Sequence, residues 1–208
     1  NNEIIMNILI TSNFKKYYRT YIDFVDHYWI SYFEKRNYVF YQLPNSKKIS
    51  NKILGTINNI DLIILPGGND VFEKDKYSNI RLMVEKNTIF YGLKKNIPIL
   101  GVCRGMQVIN NFFDGKIHRI NGHMKKKHNI YMKKNIFGKS KYIVNSYHNY
   151  GIKHISKSKK FNTLATDKNN NIEMFKHQKK EIYGVMWHPE RVNNFNMLDK
   201  IIKLLLKE

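Results

Sequence analysis

Cysteine is nearly absent from this chain, with one residue, Cys103, among 208. A single thiol excludes an internal disulfide framework and a Cys-rich zinc site. Proline is scarce at four residues, and acids are few, with 16 Asp+Glu against 36 Lys+Arg. No apolar run approaches the roughly 18 residues of a membrane-spanning helix, so no membrane partner is expected. The start of the chain lacks the basic stretch, apolar run and small-residue site of a secretory signal, which predicts a cytoplasmic protein. What is present is material for a core: 42% hydrophobic and 13% aromatic residues, too rich for a disordered chain. The length predicts a single domain over 1–208.

The shortage of acids leaves a formal charge of +20, which would suit a nucleic-acid binder. Only six of the 36 basic residues are Arg, however, and the chain is also rich in Asn, Ile, Tyr and Phe. These residues share AT-rich codons with Lys, so codon bias accounts for much of the excess. Base-specific readers favour the planar fork of Arg, and no nucleic-acid partner is expected. The charge is still uneven. Gly115–Lys160 holds 12 Lys and Arg119 with no Asp or Glu. This stretch reads either as a solvated surface or as a funnel for an anionic substrate.

Periodicity divides the chain into alternating elements. Met6–Ile10 predicts a first strand. Tyr21, Phe24, Val25, Tyr28, Trp29, Tyr32 and Phe33 recur at helical spacing and predict an amphipathic helix. Tyr38–Leu43 reads as a strand stopped by Pro44, and Asp61–Leu65 and Ile97–Val102 as buried parallel strands, with a helix over Ile80–Lys95 between them. Met106, Val108, Ile109, Phe112 and Phe113 predict a helix directly after Gly105, whereas Gly115–Lys141 is polar and poorly periodic. Ile172–Phe175 and Ile182–Trp187 pattern as paired strands, and Leu198, Ile201, Ile202 and Leu205 as a C-terminal helix. Strands alternating with helices predict an α/β fold with a mostly parallel sheet.

Gly101-Val102-Cys103-Arg104-Gly105 joins a strand pattern to a helix pattern and has the G-x-nucleophile-x-G form of a nucleophile elbow. Such a turn strains the nucleophile and leaves room only for glycine at its flanks. The positive end of the following helix favours an anionic sulfur, and the Arg104 N–H is placed to donate to an oxyanion. Alone, the motif also fits a buried Cys in a Gly-rich turn. Gly184-Val185-Met186-Trp187-His188-Pro189-Glu190 delivers His188 at a strand end, with Glu190 two residues on. Alternation can put both side chains on one side, where His188 shuttles the proton and Glu190 orients its ring. Leu65-Pro66-Gly67-Gly68-Asn69-Asp70 ends a buried strand on two glycines, which permit close backbone approach to a ligand. A Gly68 N–H would complete an oxyanion hole with Arg104. Val144-Asn145-Ser146-Tyr147-His148-Asn149 supplies hydroxyl, amide and imidazole groups suited to an amino-acid head group.

In this order the four motifs resemble the class I glutamine amidotransferase superfamily, in its peptidase C26 or γ-glutamyl hydrolase-like branch. Arg directly after the nucleophile resembles that branch more than the synthetase-linked glutaminases. The resemblance implies a flavodoxin-like sheet flanked by helices, with the site at the C-terminal edge of the strands. It implies a Cys103, His188 and Glu190 triad, an oxyanion hole from Gly68 and Arg104, and substrate binding by Gly67, Gln107, Ser146, Tyr147 and His148. Cys103 would form a γ-glutamyl thioester that water resolves to glutamate, with no cofactor. Asp23, Asp26 and Trp29, then Leu43-Pro44-Asn45-Ser46 and Ile172–His177, resemble small C26-like proteins, including hydrolases of γ-glutamyl amidates linked to a nucleoside diphosphate in capsule biosynthesis.

The expected substrate is therefore a γ-glutamyl small molecule, with a nucleotide-linked one as the narrower reading. A glutaminase serving a separate synthetase as its partner chain is the alternative, since the chain shows no second domain of comparable size. A basic, non-catalytic nucleic-acid binder is the remote one. His118, His123 and His128 recur every five residues, which matches neither a helical pair nor a zinc signature, so no metal is expected.

Overall fold

The computed structural model describes residues 5–72, 75–154, 157–192 and 195–207. Five strands run parallel in the order β4 (Val39–Leu43), β1 (Asn7–Thr11), β5 (Leu62–Leu65), β6 (Ile99–Val102) and β13 (Ile182–Val185). Beyond β13 the sheet continues antiparallel through β12 (Asn171–His177), β11 (Phe161–Thr166), β8 (Met124–Met132) and β9 (Lys141–Tyr147). β10 (Tyr150–Lys153) pairs with β12 and with the short β7 (His118–Arg119). The architecture is α/β, parallel where β5, β6 and β13 lie side by side and antiparallel in the added half.

Alternation along the parallel strands sorts their side chains to two faces. Ile8, Ile10, Leu62, Ile64, Leu100 and Val102 pack on one side against Trp29, Tyr32 and Phe33 of α1 (His27–Lys35) and against Leu198, Ile201, Ile202 and Leu205 of α5 (Asn196–Leu206). Leu9, Ile63, Leu65 and Ile99 face the other side, toward Leu54 of α2 (Lys47–Thr56), Val84 and Ile89 of α3 (Lys76–Lys95), and Met106, Val108 and Ile109 of α4 (Arg104–Phe112). Strands buried on both faces read as continuous apolar runs, which is why Leu62–Leu65 and Ile99–Val102 stand out in the sequence. Gly92 lets α3 lie close on the sheet. A methyl group built there would stand 2.8 Å from Ile63 and 2.9 Å from Ile99.

Two local expectations are corrected. The helical periodicity from Tyr21 to Phe33 spans two elements. Thr20–Phe24 is a strand, β3, paired antiparallel with β2 (Asn13–Tyr17), and the helix starts only at His27. Asp26 divides them by accepting the Tyr28 N–H at 3.2 Å as the helix cap, whereas Asp23 sits on the strand and accepts from the Asn45 backbone and side chain at 2.7 and 2.8 Å. Gly115–Lys141, without period in the sequence, includes the nine-residue strand β8. Its stretch bearing Lys125, Lys126 and Lys127 is exposed, so apolar alternation does not mark it.

Candidate active site

Three strand ends converge. Leu65 lies beside Gly101 and Val102 beside Val185, so the loops that follow β5, β6 and β13 emerge level with one another. Cys103, one residue beyond β6, has φ 50° and ψ −103°, a backbone region that a residue with a side chain enters only under constraint. The constraint is visible. Cys103 N–H donates to Val185 O at 2.8 Å, and Cys103 O accepts from Gln107 N–H at 3.1 Å. A methyl group on Gly105 would stand 1.9 Å from Leu65 O, and one on Gly101 2.5 Å from Ile109 Cδ1. No side chain caps α4, so none competes for the first N–H groups of the helix beside the sulfur.

His188 is buried, and its Nδ1 lies 2.7 Å from Glu190 Oε1. That contact fixes one ring nitrogen and leaves Nε2 for the thiol. Burial by itself works against the imidazolium, but the Glu190 carboxylate, followed by the hydrogen-bonded Cys103 side chain, outweighs it and pushes the His188 pKa up to about 10. Gly67 makes the approach possible, because a methyl group there would stand 2.4 Å from His188 Cε1 and 3.3 Å from Cys103 Cβ. The Asn145 side chain holds the His188 backbone at both ends. Its Nδ2 donates to His188 O and its Oδ1 accepts from His188 N–H, both at 2.8 Å.

The loop after β5 rests on a buried ion cluster. Glu85 on α3 accepts from Arg81 Nε at 2.9 Å and from Arg104 Nη2 at 3.0 Å, with all three side chains essentially inaccessible. Burial alone would raise the Glu85 carboxyl; Arg104 and Arg81 more than reverse that and hold it below the usual range. The remaining guanidinium donors reach the loop. Arg81 donates to Pro66 O and Gly67 O at 3.2 Å each, and Arg104 Nη1 donates to Asn69 O at 2.9 Å. Gly68 adopts φ +137°, and a methyl group there would overlap Asn13 Oδ1 at 2.0 Å.

Gly68, Cys103, Arg104, Gln107, Tyr147 and His148 line one cavity of about 150 Å³. That is smaller than the roughly 300–1,000 Å³ of a drug-sized pocket and suits a small polar group. Gln107 is held by donating to Tyr150 O at 2.8 Å. His148 Nδ1 sits 2.9 Å from the same carbonyl, so it carries the proton and Nε2 the lone pair. Burial, with His123 adding to it, lowers the His148 pKa to about 3, which keeps the ring neutral. Ser146 does not join this cavity. Strand alternation on β9 turns it with Val144 into the interior, whereas Asn145 and Tyr147 face the site. Gly67 also stays off the cavity wall and packs under the His188 ring.

Sequence reasoning missed Arg81, Glu85 and the clamp role of Asn145. An Arg and a Glu four apart on a helix look like an exposed pair. Only the inward turn of this face of α3 makes them structural parts of the site.

Cys103 at a strained strand-to-helix turn, with His188 and Glu190 in the loop that follows the neighbouring strand, places the site at the strand ends of an α/β fold. Residues 20–203 match the glutamine amidotransferase class-I family, and the chain belongs to it. It is 39% identical over 139 residues to the γ-glutamyl-CDP-amidate hydrolase of Campylobacter jejuni, covering 66% of each chain and so just under two thirds of that relative's length. It is 31% identical over 170 residues to a glutamine-hydrolyzing GMP synthase component of Methanococcus maripaludis, covering 80% of this chain and 82% of that one. A glutamine amidotransferase structure from Thermotoga maritima superposes with a TM-score of 0.71 at 15% identity, over 98% of this chain and 99% of the other, which supports the fold.

Proposed function

We propose that this chain is a cysteine-dependent amidohydrolase that cleaves a γ-glutamyl amide bond. The observation that carries the reading is the buried His188–Glu190 contact of 2.7 Å beside Cys103 in its strained turn. His188 Nε2 takes the Cys103 thiol proton as Sγ attacks the γ-carbonyl carbon, and the resulting oxyanion lies at the Gly68 and Arg104 N–H groups. His188 gives its Nε2 proton to the leaving nitrogen, the C–N bond breaks, and a γ-glutamyl thioester remains. His188 then takes a proton from water, which attacks the thioester. The C–S bond breaks, glutamate leaves, and the thiol–imidazole pair is restored. Gln107, Tyr147 and His148 hold the glutamyl head group, and the chemistry needs no cofactor.

The narrower reading is a nucleotide-linked γ-glutamyl amidate, acted on in the cytoplasm during capsule biosynthesis by one hydrolase domain over 1–208. Support comes from the Campylobacter relative's name and from a neighbouring cavity of about 480 Å³ lined by Lys126, Lys127 and Lys168. His123 and Met124, consecutive residues, line one cavity each. The GMP synthase relative favours a second reading, a glutaminase delivering ammonia to a separate synthetase.

Glutamate release from glutamine, γ-glutamyl amines, γ-glutamyl peptides and a nucleotide-linked γ-glutamyl amidate separates these readings, with Cys103→Ala as the blank. Preferred turnover of one γ-glutamyl compound over glutamine supports the free-standing hydrolase and names its leaving group. Glutamine turnover that rises only with an added synthetase supports the glutaminase reading. Undiminished turnover by Cys103→Ala would reject both.

A further inference from the structure

The lysine-lined cavity has a second chemistry at its floor. Among the described residues, His123, His128 and Glu173 each offer one ligating atom, and these atoms lie within 4.8 Å of one another. His128 Nε2 is 3.3 Å and His123 Nδ1 3.8 Å from Glu173 Oε1. In a tetrahedral metal site with bonds of about 2.0–2.1 Å, neighbouring ligand atoms stand about 3.3–3.4 Å apart. Glu173 is fully buried, and neither of its oxygens has a hydrogen-bond partner of normal geometry. Asp167 lies on the far side of His123, 3.0 Å from its Nε2, and is itself held by the Asn169 and Asn171 N–H groups at 2.8 Å each. A carboxylate behind one ring nitrogen directs the lone pair of the other forward, as in carboxylate–histidine–metal arrangements. Here that ring nitrogen faces Glu173, and either a proton or a metal ion bridges the two.

Spacing in the sequence hides this cluster. Residues five apart on a regular strand point to opposite faces. β8 carries a register shift between Met124 and Lys126, with Lys125 at φ 52°. One bulged residue restores the parity and turns His123 and His128 to the same side. The exposed lysines around the rim are screened by solvent, whereas Glu173 and Asp167 lie inside and balance a dication.

We propose that His123, His128 and Glu173 bind a divalent transition-metal ion of the zinc class, with Asp167 fixing the His123 ring from behind. The fourth coordination position opens to the cavity that His123 and His128 line. Its ligands are distinct from Cys103, His188 and Glu190, and the proposal does not depend on the substrate assigned above.

Titrating the metal-stripped full chain with Co2+ tests it, read by visible absorption and by competition with a chromogenic chelator. Cys103→Ala is titrated in parallel, because it removes the rival Cys103–His188 donors. Both proteins should bind one Co2+ with a tetrahedral spectrum, show no thiolate charge-transfer band and release the ion to Zn2+. Glu173→Gln and His128→Ala should each weaken binding by about 100-fold or more, and Asp167→Asn by about 10–100-fold. Bound metal should raise the melting temperature of the wild type but not of Glu173→Gln. If Glu173→Gln does not fold, His128→Ala, at a partly exposed position, gives the same reading. Failure to retain Co2+, loss of binding in Cys103→Ala, or unchanged binding in both ligand variants would overturn the proposal and leave a cluster held by protons alone.

Discussion

Against the cost of burial, the Glu190 carboxylate and the Cys103 side chain hold His188 in its charged form. With its pKa pushed up to about 10, the imidazolium persists across the neutral range. His188→Asn should lower kcat by about 10²–10⁴-fold with little change in substrate binding, because the proton donor and acceptor is lost. Glu190→Gln should cost less and move the alkaline limb of the kcat/KM profile downward, because the charge of Glu190 is the largest single effect that raises His188. A raised histidine stabilises the fold fully below its unfolded pKa of about 6.5, and that contribution is lost as pH rises through about 10. Chemical denaturation across that window should show the loss, and Glu190→Gln should flatten it. Asn145 works one step further out. It touches the His188 backbone only, so Asn145→Ala should reduce kcat by about tenfold while KM stays near wild type, a split that steady-state kinetics reads directly.

Among the elements, α3 and the loop after β5 act as one unit through Glu85. Removing its charge leaves Arg81 and Arg104 buried without a counter-ion. Glu85→Gln should cost about 3–5 kcal/mol in urea denaturation. The same variant should slow alkylation of Cys103, because the loop carrying Gly67 and Gly68 loses the guanidinium donors that position it. Loss of stability with unchanged alkylation would mean that the cluster supports the fold but not the site. The hairpin of β2 and β3 shows how far an element can mislead. Its aromatic residues continue the period of α1, so helical spacing alone joined two elements that Asp26 separates.

Over the molecule as a whole the +20 charge concentrates on the antiparallel half of the sheet, where Lys126 and Lys127 of β8, with Lys168, line the cavity of about 480 Å³. Electrostatic attraction of a diphosphate-bearing substrate falls as salt shortens the Debye length. The kcat/KM for a nucleotide-linked γ-glutamyl amidate should drop by about threefold to tenfold between low and high salt, while that for glutamine should change little. Equal salt dependence would return these lysines to the solvated surface that codon bias suffices to explain. Among the described residues, no helix is long and apolar enough to cross a membrane.

Residue order was enough to mark the strands β1, β5, β6 and β13, and to read β5 and β6 as parallel, because strands buried on both faces must be continuously apolar. It also exposed the elbow around Cys103 and the pairing of His188 with Glu190, because each is a local motif in which neighbouring residues constrain one another. The rest was settled by folding in three dimensions. Arg81 and Glu85 became parts of the site because their face of α3 turns inward. Asn145 reached His188 across 43 positions, and Ser146 turned away because strand parity allows only alternate residues to face the cavity. His123 and His128 met Glu173 because a single bulged residue reversed that parity, a change that spacing along a chain cannot register.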